Sequence, residues 1–323
     1  MADTSLVIGG EKSRYVRDVE VARSNRVAPT FESLLAAMKG LARGSALHSE
    51  GLPNRQYHGL PCPSKSPLWD FRHRGPVWYY ERHVAHSQSP FSSGALQLGS
   101  VVHAALEFGP GSYRSRLNSI PSKYTTASGG LSSSAEAKAW AADQDPELPF
   151  ASPADLLLTE AILKQFFANS AARERYERIS QHELSVVHHR EDGHLARCRI
   201  DALTDRGELL DWKTTRDARP LKTFKSAVLD HGYHYQSALY SQIAAAAGLS
   251  DGGRITFIAM STTPPHEVQV LTLPEPLVAQ CDQWIADDLE EIEARRESDY
   301  WLPAGYGEVT ELKFPSWAIG GDR

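Results

Sequence analysis

Four side chains between Gln181 and Thr215 carry groups that make chemical sense together: the carboxylates of Glu183, Asp201 and Asp211 and the ammonium of Lys213. Three acids and a lysine gathered at one point suit a hard divalent cation. Mg2+ takes oxygen ligands, one or two of them carboxylates, and leaves its other positions to water and substrate phosphate. A cation so held acidifies and orients a water and neutralises charge growing on a phosphodiester. Lys213 then has two open roles. As a fixed charge it stabilises the pentacovalent phosphate; with a lowered pKa it helps to deprotonate the attacking water. An isolated Asp-x-Lys is more often an ordinary surface ion pair at a hairpin, and only the company of this pair weighs against that.

Strand alternation decides whether the four groups can meet. In Glu208–Lys213 residues two apart point the same way, so Asp211 and Lys213 stand side by side while Leu210 and Trp212 face a core. The preceding strand, Ala196–Ala202, returns through a hairpin at Thr204, Asp205, Arg206 and Gly207, which folds Asp201 back alongside Asp211. Glu183 sits on a third run, Glu183–Val187, joined to the second by the turn-prone Glu191-Asp192-Gly193.

Asp201 followed after nine residues by Asp211-Trp212-Lys213 resembles the core of the PD-(D/E)xK nucleases. The run Ile200-Asp201, Leu210–Thr215, Asp217-Ala218 and Gly232–Tyr240 is similar to one branch, the phage-derived RecE-type (exodeoxyribonuclease VIII-like) exonucleases. Gln236-x-x-x-Tyr240 resembles the Q-x-x-x-Y motif shared by RecB, Cas4 and lambda-exonuclease-like enzymes. Leu98–Glu107 resembles their Gly-x-x-x-His helix, with Gly99 and His103 at the matching positions, and Tyr57-His58 with Ser64-Lys65-Ser66 resembles the lead-in to the domain. The likeness runs from roughly residue 55 to residue 300.

The resemblance implies an α/β fold with a PD-(D/E)xK nuclease core, a central mixed β-sheet flanked by helices. It implies a Mg2+-dependent exodeoxyribonuclease, Mn2+ substituting, that digests linear double-stranded DNA from 5' to 3' and leaves 3' overhangs for recombination by strand annealing. Asp201, Asp211 and the main-chain carbonyl of Trp212 would hold the main metal, with Glu183 and His103 completing it or holding a second. Lys213 supports the water or the developing charge. Gln236 orients the lysine or contacts the scissile strand, and Tyr240 supports DNA or the site. The expected partners are DNA ends, a single-strand annealing protein and further copies of the chain in a ring-shaped homo-oligomer. Lys65, Arg72 and Arg74 are candidates for strand contacts. Three other accounts compete: a Cas4-like or helicase-associated single-strand nuclease, a catalytically silent DNA-end-binding module on the same fold, and a sequence-specific restriction enzyme. The chain lacks the cysteine set and helicase motifs of the first, keeps the charged triad that the second has no need of, and has no recognition element for the third.

Composition sets outer bounds. The 323 residues carry 34 basic and 40 acidic side chains, a net charge of −6, so nucleic acid is not met by a generally basic surface and positive charge must be concentrated in a channel. The three cysteines, Cys62, Cys198 and Cys281, form no C-x-x-C pair and suggest neither disulfide scaffold nor zinc site. No apolar run reaches the length of a membrane span and no signal pattern opens the chain, so a cytoplasmic protein without membrane contact is expected.

Along the chain, residues 1–50 read as an N-terminal arm, partly disordered or peripheral, with a short amphipathic helix at Phe31–Ala42. Residues 51–300 read as the nuclease domain and 301–323 as a tail carrying Trp301, Phe314 and Trp317. Ser66 offers an N-cap to a helix whose first residue is Pro67, and a helix from near Ser93 carries His103 and Glu107 on one face. Residues 113–149 read as a long loop around a short helix at Ser134–Ala142, followed by helices over Pro153–Phe167, Ser170–Ile179 and Leu221–Leu229. Gly232 opens a helix to Ala247 that places Gln236 and Tyr240 one turn apart; strands at Arg254–Ser261 and Glu267–Leu273 and a helix at Pro276–Arg296 follow. His182, His188, His189 and His194 scatter over both faces of a strand and read as surface residues, since a Mg2+ site prefers oxygen.

Overall fold

The chain builds the three adjacent strands that the acids require, and it builds them in the middle of a larger sheet. The computed structural model describes residues 6–9, 30–87, 94–127, 129–219, 223–309 and 311. In chain order these form β1 (Leu6–Gly9), α1 (Phe31–Lys39), β2 (Ala46–Ser49), α2 (Asn54–His58), α3 (Lys65–Arg74), α4 (Pro76–Tyr79) and α5 (Gly94–Phe108). Next come β3 (Asn118–Ser119), α6 (Ala135–Ala142), β4 (Phe150–Ala151), α7 (Pro153–Ala168), α8 (Ser170–Tyr176), β5 (Ile179–His189), β6 (Leu195–Thr204) and β7 (Leu209–Thr215). The last are α9 (Lys225–Asp230), α10 (Tyr233–Ala246), β8 (Thr256–Ser261), β9 (Val268–Thr272) and α11 (Glu275–Ser298).

Seven strands pair in the order β1-β2-β5-β6-β7-β8-β9, and β3 with β4 makes a small separate ladder. Among the described residues of the large sheet, only β7 and β8 are parallel. A parallel pair needs a crossover rather than a hairpin, and α9 and α10 supply it. The sheet is therefore mixed and flanked by helices, the α/β architecture expected.

Each face buries its own layer. Leu184, Val186, Ile200 and Phe257 pack with Tyr235 and Leu239 of α10 and with α3 and α11. On the opposite face Leu210, Trp212 and Ile258 meet Val102 of α5 and Ile162 and Phe166 of α7. Local signals fix several helix starts. Ser152 and Asp155 form a reciprocal capping box on α7, and Ser134 caps α6 through the Ala137 N–H. Gly232 precedes α10 in the left-handed region at φ 64, where an added Cβ would run into the Trp69 indole.

The boundary expected at residue 50 does not hold for the described part of that segment. β2 lies inside the sheet, antiparallel to β5, and α1 buries Leu34 and Met38 in a cluster with Leu47, Tyr57 and Val187. A four-residue strand buried along its whole length offers no alternation to read, which is why β2 is silent in the sequence. Residues 1–5 and 10–29 lie outside the described residues. At the other end Trp301 is buried, its ring 5.6 Å from that of Tyr79 and 5.5 Å from that of Tyr80, so it belongs to the domain rather than to a tail; Phe314 and Trp317 fall outside the described residues. α3 starts two residues earlier than expected, with Ser64 rather than Ser66 at the N-cap. Among the described residues no helix is long and apolar enough to cross a membrane.

Candidate active site

β6 and β7 pair through Leu203↔Leu209 and Ala202↔Leu210, and the ladder ends there. One step further the same register sets Asp201 opposite Asp211. Instead of continuing the ladder, the Asp201 carboxylate accepts the main-chain N–H of Trp212 at 2.8 Å. Side-chain alternation along β6 breaks at the same place: Ile200 enters one core layer and Ala202, two residues on, enters the other. On β5, Glu183 falls between the pairs His182↔Ala202 and Leu184↔Ile200, and its φ is 48, a left-handed conformation that costs a non-glycine residue energy. The β6 edge that β7 leaves is met by another segment, the Arg197 N–H donating to the Pro63 carbonyl at 2.9 Å. A gap walled by β6, β7 and residues 60–64 results.

Into this gap α5 brings His103. Gly99, one turn earlier, lets α5 approach β7 closely; a Cβ there would stand 3.3 Å from Thr214 Oγ1. His103 Nε2 lies 3.1 Å from the Trp212 carbonyl oxygen, and Nδ1 lies 3.8 Å from Asp201 Oδ2 and 4.0 Å from Glu183 Oε1. Single donor atoms of His103, Glu183 and Asp201 are all within 4.8 Å of one another. Two carboxylate oxygens, an imidazole nitrogen and an adjacent main-chain carbonyl form a donor set that fits a divalent cation preferring oxygen. Burial alone would lower the His103 pKa, but the charge of Asp201 and the hydrogen-bonded carboxylate of Glu183 push it up to about 9. Burial and then the charge of Asp211 push the Asp201 carboxyl up. Both shifts follow from acids crowded together around an imidazole.

Asp211 is not one of those three close donors. Its side chain leaves β7 toward α10, where Oδ1 accepts a hydrogen bond from Gln236 Nε2 and Oδ2 stands 2.5 Å from Lys213 Nζ. It is 2 % exposed, with Oδ2 paired to the Lys213 ammonium. Asp211 and Lys213 thus stand as a pair beside the other three groups, close enough that the charge of Asp211 is felt at Asp201 and that of Asp201 at Lys213. The main chain of Trp212 runs between them, its N–H meeting Asp201 and its carbonyl His103. Lys213 lies 4.8 Å from the centre of the Tyr233 ring. Burial opposes its charge, but Asp211 and Asp201 hold its pKa above the usual lysine value.

Gln236 is buried and binds the acid rather than the lysine. Tyr240 is enclosed near Tyr57, and burial first, with the charges of Asp211 and Asp201 behind it, raises its pKa. Lys65 lies inside the site rather than on an outer groove: Nζ donates to the His231 carbonyl and sits 5.6 Å from the Tyr233 ring that Lys213 also faces. Burial and then the Lys213 charge bring its pKa down to about 7. Arg72 is not placed for strand contact. Its Nε is 2.8 Å from Asp288, which also accepts from Tyr235, and its guanidinium lies 4.9 Å over Trp284. Arg74 pairs with Asp70 at 3.5 Å and lies 4.6 Å over Trp78, remote from the gap in the contacts it makes. Of the histidines read as surface residues, His188 is buried and His189 is held by the Leu41 carbonyl at 2.6 Å.

Three further residues reach the site without having been singled out for it. Glu107, one turn past His103, is pushed to a pKa of about 7 by burial and then by Glu183. Arg199 shares its strand face with Asp201, a relation alternation could have flagged. Tyr233 falls within the Gly232–Tyr240 run, which assigns it no role.

A family model described as the PD-(D/E)XK nuclease superfamily matches residues 73–301. Among solved structures, a crystal structure of a candidate exonuclease from Eubacterium rectale is similar, with a TM-score of 0.54 at 14% identity over 80% of this chain and 92% of that one. At that identity the likeness is one of fold. Among curated proteins no match is found.

Proposed function

We propose, for a chain that belongs to the PD-(D/E)XK nuclease superfamily, the activity of a RecE-like exodeoxyribonuclease. It digests linear double-stranded DNA from 5' to 3' with Mg2+, or Mn2+ in its place, and leaves 3' overhangs. The observation that carries the reading is the break between β6 and β7, where Asp201 holds the Trp212 N–H and His103 faces the carbonyl of the same residue. The residues fit a divalent cation, as nucleases of this superfamily use. Asp201, Glu183, His103 and the Trp212 carbonyl would hold it, with Asp211 beside them. Bound there, the cation polarises the phosphate and acidifies a water.

The chain's own side chains do the remaining work. Lys213, held by Asp211 and the Tyr233 face, is a fixed positive charge for the crowded phosphate of the transition state. Its raised pKa favours that role over proton abstraction. Gln236 fixes the rotation of the Asp211 carboxylate. Lys65 stands on the same wall, and a neighbouring phosphate there would draw its lowered pKa back up and pair with the ammonium. A ring of subunits enclosing the duplex would let a net acidic chain stay on its substrate, and the overhang is a substrate for a strand-annealing partner in the cytoplasm.

The test is digestion of duplex DNA labelled at either end, with Mg2+ or with chelator. The expected outcome is metal-dependent release of nucleotides from the 5' end and resistance of closed circular duplex. Rapid cutting of circles would replace the exonuclease reading with an endonuclease, and release from the 3' end would reverse the polarity.

A further inference from the structure

Glu183 is the acid whose position is hardest to hold. Its backbone is left-handed, Asp201 lies opposite it, and Glu107 crowds it from α5. Two basic side chains face its carboxylate among the described residues. His103 Nδ1 is 4.0 Å from Oε1 and Arg199 Nε is 3.9 Å from Oε2. An imidazole that gives its lone pair to a cation is neutral, whereas a guanidinium does not lose its charge. Once a cation is bound, Arg199 is the basic side chain left to steady Glu183.

The Arg199 fork is fixed on every side. Nε donates to Ser185 Oγ at 3.0 Å, Nη2 to the Leu52 carbonyl at 2.8 Å and Nη1 to Asn54 Oδ1 at 3.4 Å, while Cζ lies 4.2 Å over the Tyr57 ring. Arg197, on the same strand face, lies 4.9 Å over that ring and donates to the Leu60 and His58 carbonyls. Residues 52–60, which precede the part of the chain matched by the family model, are in this way strapped to β6.

We propose that Arg199 is a positioning residue: it keeps Glu183 turned into the gap and ties the strap at residues 52–57 to that same carboxylate, so the strap and the cation site form together. The inference rests on the nuclease reading above. A lysine keeps the charge but cannot make the fork, whose three nitrogens serve three acceptors at once.

The test is calorimetric titration of the DNA-free protein with Mn2+, beside its melting temperature and steady-state kinetics. For Arg199→Lys the expected result is Mn2+ affinity weakened about 10-fold or more, as loss of a partner behind a metal ligand does, with kcat lowered and KM for DNA little changed. A folded Arg199→Lys protein with wild-type Mn2+ affinity overturns the proposal, even if its melting temperature drops. Should Arg199→Lys not fold, Ser185→Ala, which removes only the hydroxyl on Nε, is titrated in its place. A smaller loss of Mn2+ affinity supports the proposal and an unchanged one overturns it. Wild-type protein that binds no Mn2+ overturns the nuclease reading itself, a result distinct from an unaffected variant.

Discussion

The carboxylate of Asp201 holds the main-chain N–H of Trp212 at 2.8 Å, and so a side chain stands where the next rung of the β6–β7 ladder belongs. A buried N–H has to be paired. Pairing it through Asp201 lets the strands separate without an orphaned donor, and the separation admits His103 from one face of the sheet. The same residue thus supplies an acid to the site and opens the gap that makes room for a ligand. Asp211 and Lys213, which share the other face of β7, reach the same gap through the chain between them.

Lys213→Ala is expected to abolish metal-dependent release of nucleotides, with kcat down at least about 100-fold, the loss typical when one group serving transition-state charge is removed. DNA binding is expected to persist, since the ammonium is buried beside Asp211 and Tyr233 rather than spread along a groove. End-labelled digestion with a parallel mobility-shift titration measures both. Full activity would remove Lys213 from the chemistry.

Gln236→Ala takes away the hydrogen-bond donor of Asp211 Oδ1 and leaves a buried carboxylate oxygen unpaired. The cost is about 1–3 kcal/mol of stability, and the freed carboxylate can rotate. The expected outcome is a lower denaturant midpoint together with a higher Mg2+ concentration for half-maximal cleavage. A midpoint shift with no change in Mg2+ demand would make Gln236 a packing residue only.

Arg72→Ala separates a structural arginine from a DNA-binding one. Asp288, nearly buried, would keep only Tyr235 as its hydrogen-bond partner among those described. Breaking such a pair typically costs about 3 kcal/mol or more. A clear drop in the urea midpoint with unchanged salt dependence of DNA binding is expected. A reduced salt slope would return Arg72 to the phosphate contacts.

Alternation made Asp211 and Lys213 legible as one face, and the hairpin signal at Thr204–Gly207 made Asp201 legible opposite Asp211, because both rest on chain-local geometry that the sequence carries. The layout of the site was less legible for the same reason. The alternation rule fails between Ile200 and Ala202, and Glu183 is left-handed, so the acids reach the site from a broken ladder rather than from one regular sheet face. Lys65 and Arg72 look alike as basic residues of one segment. Their separate fates depend on His231, Tyr233 and Asp288, more than 150 residues away in sequence, and no local pattern reports that. Gln236 meets Asp211, a partner the sequence does not name, because an amide can donate to an acid or accept from an ammonium.

Metal-free protein is expected to lose stability as pH rises, and Mg2+ is expected to restore it. Glu107 binds its proton more tightly folded than unfolded, with its pKa moved from 4.5 up to about 7 by burial and by Glu183. The stability it contributes is complete below pH 4.5 and lost as pH climbs through about 7. His103 moves from 6.5 up to about 9, the charges of Asp201 and Glu183 outweighing burial, so its contribution is complete below pH 6.5 and lost toward pH 9. Both act in the same direction, as does Asp201. Lys65, whose pKa falls from 10.5 to about 7, acts the opposite way above pH 7 and offsets His103 there. Linkage therefore gives a falling melting temperature between about pH 5 and pH 7 in chelator. A divalent cation binds the deprotonated ligands of the folded state alone, so the gain in melting temperature on adding Mg2+ should grow over the same interval. Melting curves at three pH values, each with chelator and with Mg2+, measure both trends. A melting temperature flat from pH 5 to pH 7 in chelator, with no larger Mg2+ effect at the upper end of that interval, would mean that the acids are not gathered around a cation site.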